Sequence, residues 1–154
     1  MGSLSRTQIG ALVLSATSLV GIAVNESFRD TAYVPVAGDV QTIGFGTTED
    51  VQPGDKITVE RALIRLLADA GKFEQAVKDC APVPLFQYEY DAYVSLTYNI
   101  GAGAFCGSTL AKYLNDGRYE EACKQILRWD HFQGAPLRGL TIRREREYKM
   151  CIGE

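Results

Sequence analysis

Histidine is almost missing from this chain: His131 is the single one in 154 residues. No two cysteines stand at CxxC spacing either. A zinc site of the Cys/His kind therefore has no ligand set, and a cysteine nucleophile would have to rely on that one imidazole. No metal and no other cofactor is expected. The net charge is −3, so the broad basic surface that tracks a nucleic-acid backbone is lacking, and nucleic acid is not an expected partner. The one locally basic stretch, residues 138–149 (RGLTIRREREYK), reads as a solvated helix face. No repeat and no long linker divides the chain. No apolar run reaches the ~20 residues that a stable transmembrane helix needs.

What is present is a hydrophobic content of 46%, enough for one compact domain built as one or two lobes. A monomer is expected. There are four cysteines, Cys80, Cys106, Cys123 and Cys151. An even count suits an oxidising compartment and two disulfides, and three pairings are open. Residues 9–24 (IGALVLSATSLVGIAV) carry no charge, and Arg6 is the only charged side chain before them. The run is short for a permanent anchor and is diluted by Gly10, Ser15, Thr17, Ser18 and Gly21. A cleaved signal peptide, a segment that enters and leaves a membrane, and an ordinary buried helix all fit it. As a helix, it would align Ile9, Val13, Ala16, Val20 and Val24 on one stripe.

The pattern then changes. Tyr33, Val34 and Val36, and after them Thr42, Ile43 and Phe45, are strand formers. Ala37, Gly38 and Asp39 between them give a turn. A small antiparallel hairpin is expected here. Thr58 reads as a helix cap. Beyond it Val59, Ala62, Leu63, Leu66, Leu67, Ala70, Phe73 and Val77 recur at helical spacing. Prolines in CAPVPL end that run. Helical patterns follow in YEYDAYVSLTYNIG, STLAKYLNDG, YEEACKQILRW and LTIRREREYKMC. The fold class is α+β and mainly helical, with a hairpin lobe joined by a long helix to a helical lobe.

A helix that ends beside a hairpin can supply the two carboxyl groups of glycoside hydrolysis. One protonates the leaving oxygen, and the other handles water or the developing cation. Glu26 stands at the end of the apolar segment, with Val24 and Phe28 as apolar neighbours. Asp39 lies in the hairpin turn. Thr42 follows on the return strand, where its hydroxyl could orient a water.

The stretch ESFRDTAYVPVAGDVQTIGFGT (residues 26–47) resembles the catalytic region of the phage lysozyme (muramidase) family. YDAYVSLTYNIGAGAF, STLAKYLNDG, the pair Arg128–Trp129 and GLTIRREREYKMC are similar to its C-terminal half. The resemblance implies a lysozyme-like fold over residues 25–154 and cleavage of the β-1,4 bond between N-acetylmuramic acid and N-acetylglucosamine. It implies Glu26 as catalytic acid and Thr42 as the triad threonine. The family aspartate position holds Pro35, so Asp39 is taken as the second carboxylate, with Asp30 as fallback. Asn99 matches a cleft-lining position suited to hydrogen-bond the sugar, and Arg143 or Arg144 matches an arginine near the catalytic glutamate. Both arginines are taken as substrate-side residues, and Tyr98 and Trp129 offer apolar surface for sugar rings. Residues 1–24 resemble signal-anchor-release segments. That implies transient inner-membrane association through residues 9–24 and arrival in the host periplasm. A lytic transglycosylase and a non-catalytic peptidoglycan-binding module remain the alternatives.

Overall fold

The computed structural model describes residues 4–154. Residues 1–3 of the expected N-terminal segment lie outside it. The helices are α1 (Ala16–Glu26), α2 (Val59–Cys80), α3 (Gln87–Ile100), α4 (Ala102–Cys106), α5 (Thr109–Asn115), α6 (Tyr119–Gln125) and α7 (Arg138–Cys151). The strands are β1 (Arg29–Tyr33), β2 (Thr42–Gly44), β3 (His131–Phe132) and β4 (Ala135–Pro136). The chain divides into a helical unit, Met1–Ser18 with Phe73–Glu154, and a hairpin unit, Leu19–Lys72. The division falls inside α1 and α2.

The helical unit has a core of aliphatic and aromatic side chains. Val77, Leu85, Tyr90, Tyr93, Leu96 and Phe105 are among those with no exposed surface. α3 is buried continuously from Glu89 to Thr97, which makes it the central element of this unit. Ser108 caps α5 by accepting a hydrogen bond from Ala111 N. Two disulfides close this unit, Cys80–Cys106 and Cys123–Cys151. Of the three pairings left open by the sequence, this one is realised.

Residues 9–24 are not one helix here. Ile9–Ala11 form a 3₁₀ turn, and α1 begins only at Ala16. The break has a polar cause. Leu14 N donates to Glu74 Oε1 at 2.6 Å, and Ser15 N donates to Asp91 Oδ1 at 3.0 Å. Ser15 Oγ then accepts from Ser18 N at 3.2 Å, as a helix N-cap does. The break changes the phase of the apolar positions. The expected stripe is lost: Val13, Val20 and Val24 are exposed, while Ile9, Leu12 and Ile22 are buried. Among the described residues, no helix is long and apolar enough to cross a membrane.

In the hairpin unit, β1 and β2 pair antiparallel, with Arg29 opposite Gly44 and Tyr33 opposite Thr42. The register shifts between those two pairs, so β1 is bulged. Its outer edge is covered by residues 55–57: Ala32 N donates to Asp55 O, and Ile57 N donates to Asp30 O, both at 2.9 Å. Within this unit α2 buries Ala62, Leu66 and Ala70, while Val59, Leu63 and Leu67 are exposed. The expected buried face of α2 is therefore rotated. Small side chains explain it. Gly44 sits at φ +65°, and a Cβ added there would lie 2.9 Å from the Ala62 Cβ. The hairpin backbone thus packs directly on the helix, which only Gly against Ala permits.

Candidate active site

Glu26 is the last residue of α1 and is half-buried. The helix stops because Ser27 adopts φ +59°, a left-handed conformation common just past helix ends. Ser27 N still reaches Ala23 O at 3.2 Å. The chain then reverses into β1, and Phe28 packs on Phe45 of the hairpin with ring centroids 5.5 Å apart. Val24, expected as an apolar neighbour of Glu26, turns outward at 71% exposed.

Asp39 closes the turn after β1. Its N–H donates to Val36 O at 2.9 Å, and Gly38 takes φ +92°, the glycine-favouring position of such a turn. The Asp39 side chain is exposed. Pro35, at the family aspartate position, lies in the exposed bend leading to this turn. Thr42 opens β2 and is 5% exposed. Its hydroxyl donates to Val40 O at 3.3 Å, leaving its oxygen to accept. Asp30 is on β1, not on a helix. Its Oδ1 accepts from Thr31 Oγ1 at 3.0 Å, and it lines a 240 Å³ cavity with Lys56, Ile57, Thr58 and Arg61.

The loop after β2 is held by groups that the sequence reading passed over. Ile43 and Thr47 exchange two backbone hydrogen bonds at 2.9 and 3.0 Å. Buried Thr47 donates from Oγ1 to Asp69 Oδ2 at 2.6 Å. Lys72 pairs with Glu49, and Arg65 donates to the Glu49 carbonyl. Arg65, Asp69 and Lys72 stand four and three residues apart, so α2 presents them on one face. That spacing is the signal the sequence carries for them, interleaved with the apolar positions of the same helix. The Lys72 ammonium holds the Glu49 carboxyl below its ordinary value.

In the helical unit, Tyr98 is half-buried against Phe73, with ring centroids 5.0 Å apart. Asn99 is exposed near the end of α3. Arg143 and Arg144 are 8% and 1% exposed. This corrects the reading of residues 138–149 as a solvated face: two of the arginines on this helix are buried. Both converge on Glu147, which the sequence had not singled out. Glu147 Oε1 accepts from Ser95 Oγ at 2.7 Å, from Arg143 Nε at 3.2 Å and from Arg144 Nη2 at 3.2 Å. Arg144 Nε lies 2.7 Å from Oε2, close as an ion pair though not aligned as a hydrogen bond. Burial pushes the Glu147 carboxyl up, and the charges of Arg144 and Arg143 oppose that shift. Among the described residues, no group of three or more His, Cys, Asp or Glu side chains is arranged to hold a metal ion.

Comparison with known proteins extends this picture. A family model described as phage lysozyme matches residues 23–147. The chain is 36% identical over 141 residues to the SAR-endolysin of Pseudomonas phage phiKMV, covering 89% of this chain and 87% of that protein. It is 38% identical over 140 residues to the endolysin of Bacillus phage B103, covering 88% of this chain. The chain spans only about half of that endolysin, 53% of its length. Among solved structures, the muramidase domain of SpmX from Asticaccaulis excentricus superposes with a TM-score of 0.85 at 29% identity, over 93% of this chain and 99% of that one.

Proposed function

The chain belongs to the phage lysozyme family, and on that premise we propose that it is an endolysin. It hydrolyses the β-1,4 bond between N-acetylmuramic acid and N-acetylglucosamine in peptidoglycan and so lyses the host cell. The observation that carries the reading is the order of groups within one unit. Glu26 ends a helix, and the hairpin that follows directly brings Asp39 in an exposed turn and Thr42 on the return strand. In the proposed reaction Glu26 gives its proton to the glycosidic oxygen as the bond to C1 breaks. A water oriented by Thr42 adds to C1 from the opposite face and loses its proton to Asp39. The anomeric configuration inverts. Glu26 is left ionised and Asp39 protonated, and solvent restores both. Asn99 and Tyr98 contact the glycan strand. Arg143 and Arg144 act from within, by fixing α7 against α3 through Glu147 and Ser95.

We also assign residues 1–24 as a releasable anchor and residues 25–154 as the catalytic domain. In the tethered form residues 9–24 would lie in the inner membrane. The folded form seen here is the released enzyme, acting as a monomer in the host periplasm. Kinship with the SAR-endolysin of phage phiKMV supports this, as does the uncharged run itself.

Digestion of purified peptidoglycan tests the activity. New reducing ends at N-acetylmuramic acid are expected; anhydro-muramic products would instead mark a lytic transglycosylase, and binding without cleavage a glycan-binding module. A Glu26→Gln chain that digests as fast as the unchanged chain removes the acid assignment. An N-terminus that begins after Ala23 in protein recovered from the periplasm removes the releasable anchor.

A further inference from the structure

Arg6 is the only charged side chain among residues 1–25, yet it is folded into the helical unit. Its Nε and Nη2 donate to the Glu89 carboxylate at 3.0 and 2.8 Å. The side chain of Glu89 is 4% exposed. The Arg6 guanidinium carbon lies 3.6 Å from the centroid of Tyr119 and 4.6 Å from that of Phe86. Tyr119 is itself fixed, its hydroxyl donating to Pro84 O at 2.9 Å. Glu89 Oε2 also accepts from Phe86 N at 2.9 Å, so the carboxylate is held from its own helix before Arg6 arrives.

The contacts continue behind Arg6. Thr7 and Leu85 exchange two backbone hydrogen bonds at 2.8 and 2.9 Å. Gln87 Nε2 donates to Val13 O at 2.8 Å. Glu74 receives Leu14 N, and Asp91 receives both Ser15 N and Ser15 Oγ. Three acidic side chains of the helical unit thus face donors of the N-terminal segment. Ile9 and Leu12 are buried between these points.

The position of the charge in the chain gives these contacts a further meaning. It rests on the anchor reading above. With residues 9–24 in a bilayer, Arg6 is on one side and residues 25–154 are on the other. Arg6 then cannot reach Glu89. The pair forms only after the guanidinium has crossed the hydrocarbon, and that crossing is strongly opposed in either direction. Once across, the guanidinium meets a buried carboxylate and two aromatic faces, which bind a desolvated cation well. We propose that Arg6 and Glu89 form a latch that holds the N-terminal segment on the helical unit after it leaves the bilayer and makes release one-way.

The test uses the full chain in soluble form, with Arg6→Gln, Glu89→Gln and the double exchange Arg6→Glu/Glu89→Arg. Amide hydrogen exchange of residues 5–15 is measured, and each protein is then floated with vesicles of phosphatidylethanolamine and phosphatidylglycerol. Both single variants should exchange this segment about tenfold faster and enter the vesicle fraction, and the double exchange should restore part of both properties. Glu89 also caps α3, so Arg6→Gln is the variant that isolates the latch if Glu89→Gln folds poorly. Unchanged exchange in Arg6→Gln overturns the latch itself. Faster exchange with no vesicle capture of any variant overturns the membrane role and places the failure in the anchor reading.

Discussion

Cys80–Cys106 and Cys123–Cys151 both lie in the helical unit, whereas the hairpin unit contains no cysteine. The helical unit adds a buried ion cluster around Glu147 and a helix, α3, with nine consecutive buried residues. The hairpin unit has a smaller core around Ile22, Ile43, Phe45 and Leu66. The loop after β2 is held by hydrogen bonds and an ion pair, among them Thr47 to Asp69 and Lys72 to Glu49, and by no disulfide. Two of the three residues assigned to chemistry lie at points where the hairpin-unit backbone turns. Glu26 precedes a left-handed serine, and Asp39 follows a left-handed glycine. The contrast is one of division of labour. Covalent and apolar stabilisation is concentrated in one unit, and the groups proposed to carry the bond cleavage stand at or beside short connections in the other.

Substitutions can break this contrast or sharpen it. The largest effect is expected at the hairpin turn: Asp39→Asn should slow glycan cleavage by about 10²–10⁴-fold, the range for loss of a general base. The thermal midpoint should stay within a degree or two of the unchanged protein, since exposed sites contribute little to stability. Near-normal cleavage by this variant would make Asp39 a turn residue only. In the helical unit Glu147→Ala should do the opposite. It removes the carboxylate that two buried guanidinium groups share, at a cost of about 3–5 kcal/mol, read as a lowered urea midpoint. A midpoint loss no larger than for a surface glutamate would mean that the cluster carries no structural load.

Replacing Cys80 and Cys106 together by serine should cost about 3 kcal/mol, since the cystine spans a sequence separation of 26 residues. Cleavage at low temperature should persist. Thr47→Val removes the donor to Asp69 and should cost about 1–3 kcal/mol. Here stability and activity should fall together, because the same loop continues β2 and Thr42. Lys72→Ala is the mildest change. Lys72 depresses the Glu49 carboxyl, so the stability from that pair is present above the ordinary glutamate value and lost on acidification. Removing Lys72 should return the Glu49 titration to its ordinary position, as a carbon-13 NMR titration would record.

How legible was this in the sequence? The elements with strong local pattern were. Helical spacing predicted α2, α3 and α7, and the strand formers around Gly38 predicted the hairpin. The β3–β4 hairpin was not foreseen, because two-residue strands leave no periodicity to read. Of the candidate site, Glu26, Asp39 and Thr42 stand where a helix end, a turn and a strand were expected. The solvated reading of residues 138–149 is what the structure changes: a run of charge on α7 looks solvated in sequence, yet Arg143 and Arg144 face Ser95 and Glu147 inside the unit. The carboxylate partner, Glu147, is only three or four residues along α7, but the cluster is completed by Ser95 of α3, 48 residues from Arg143 and 52 from Glu147.

By itself the sequence determined what depends on near neighbours: the helical and hairpin segments, the ordered motifs of the lysozyme family, and an even cysteine set suited to two disulfides. Backbone propensity and apolar spacing act over a few residues, so a linear reading captures them. Only the tertiary structure decided which cysteines pair, which face of α2 is buried, and where residues 9–24 break. Each of those depends on a group distant in sequence. Gly44 selects the Ala62 face of α2, and Asp91 takes the Ser15 backbone that a continuous helix would need. Arg6, a lone charge ahead of an apolar run, finds its carboxylate 83 residues away.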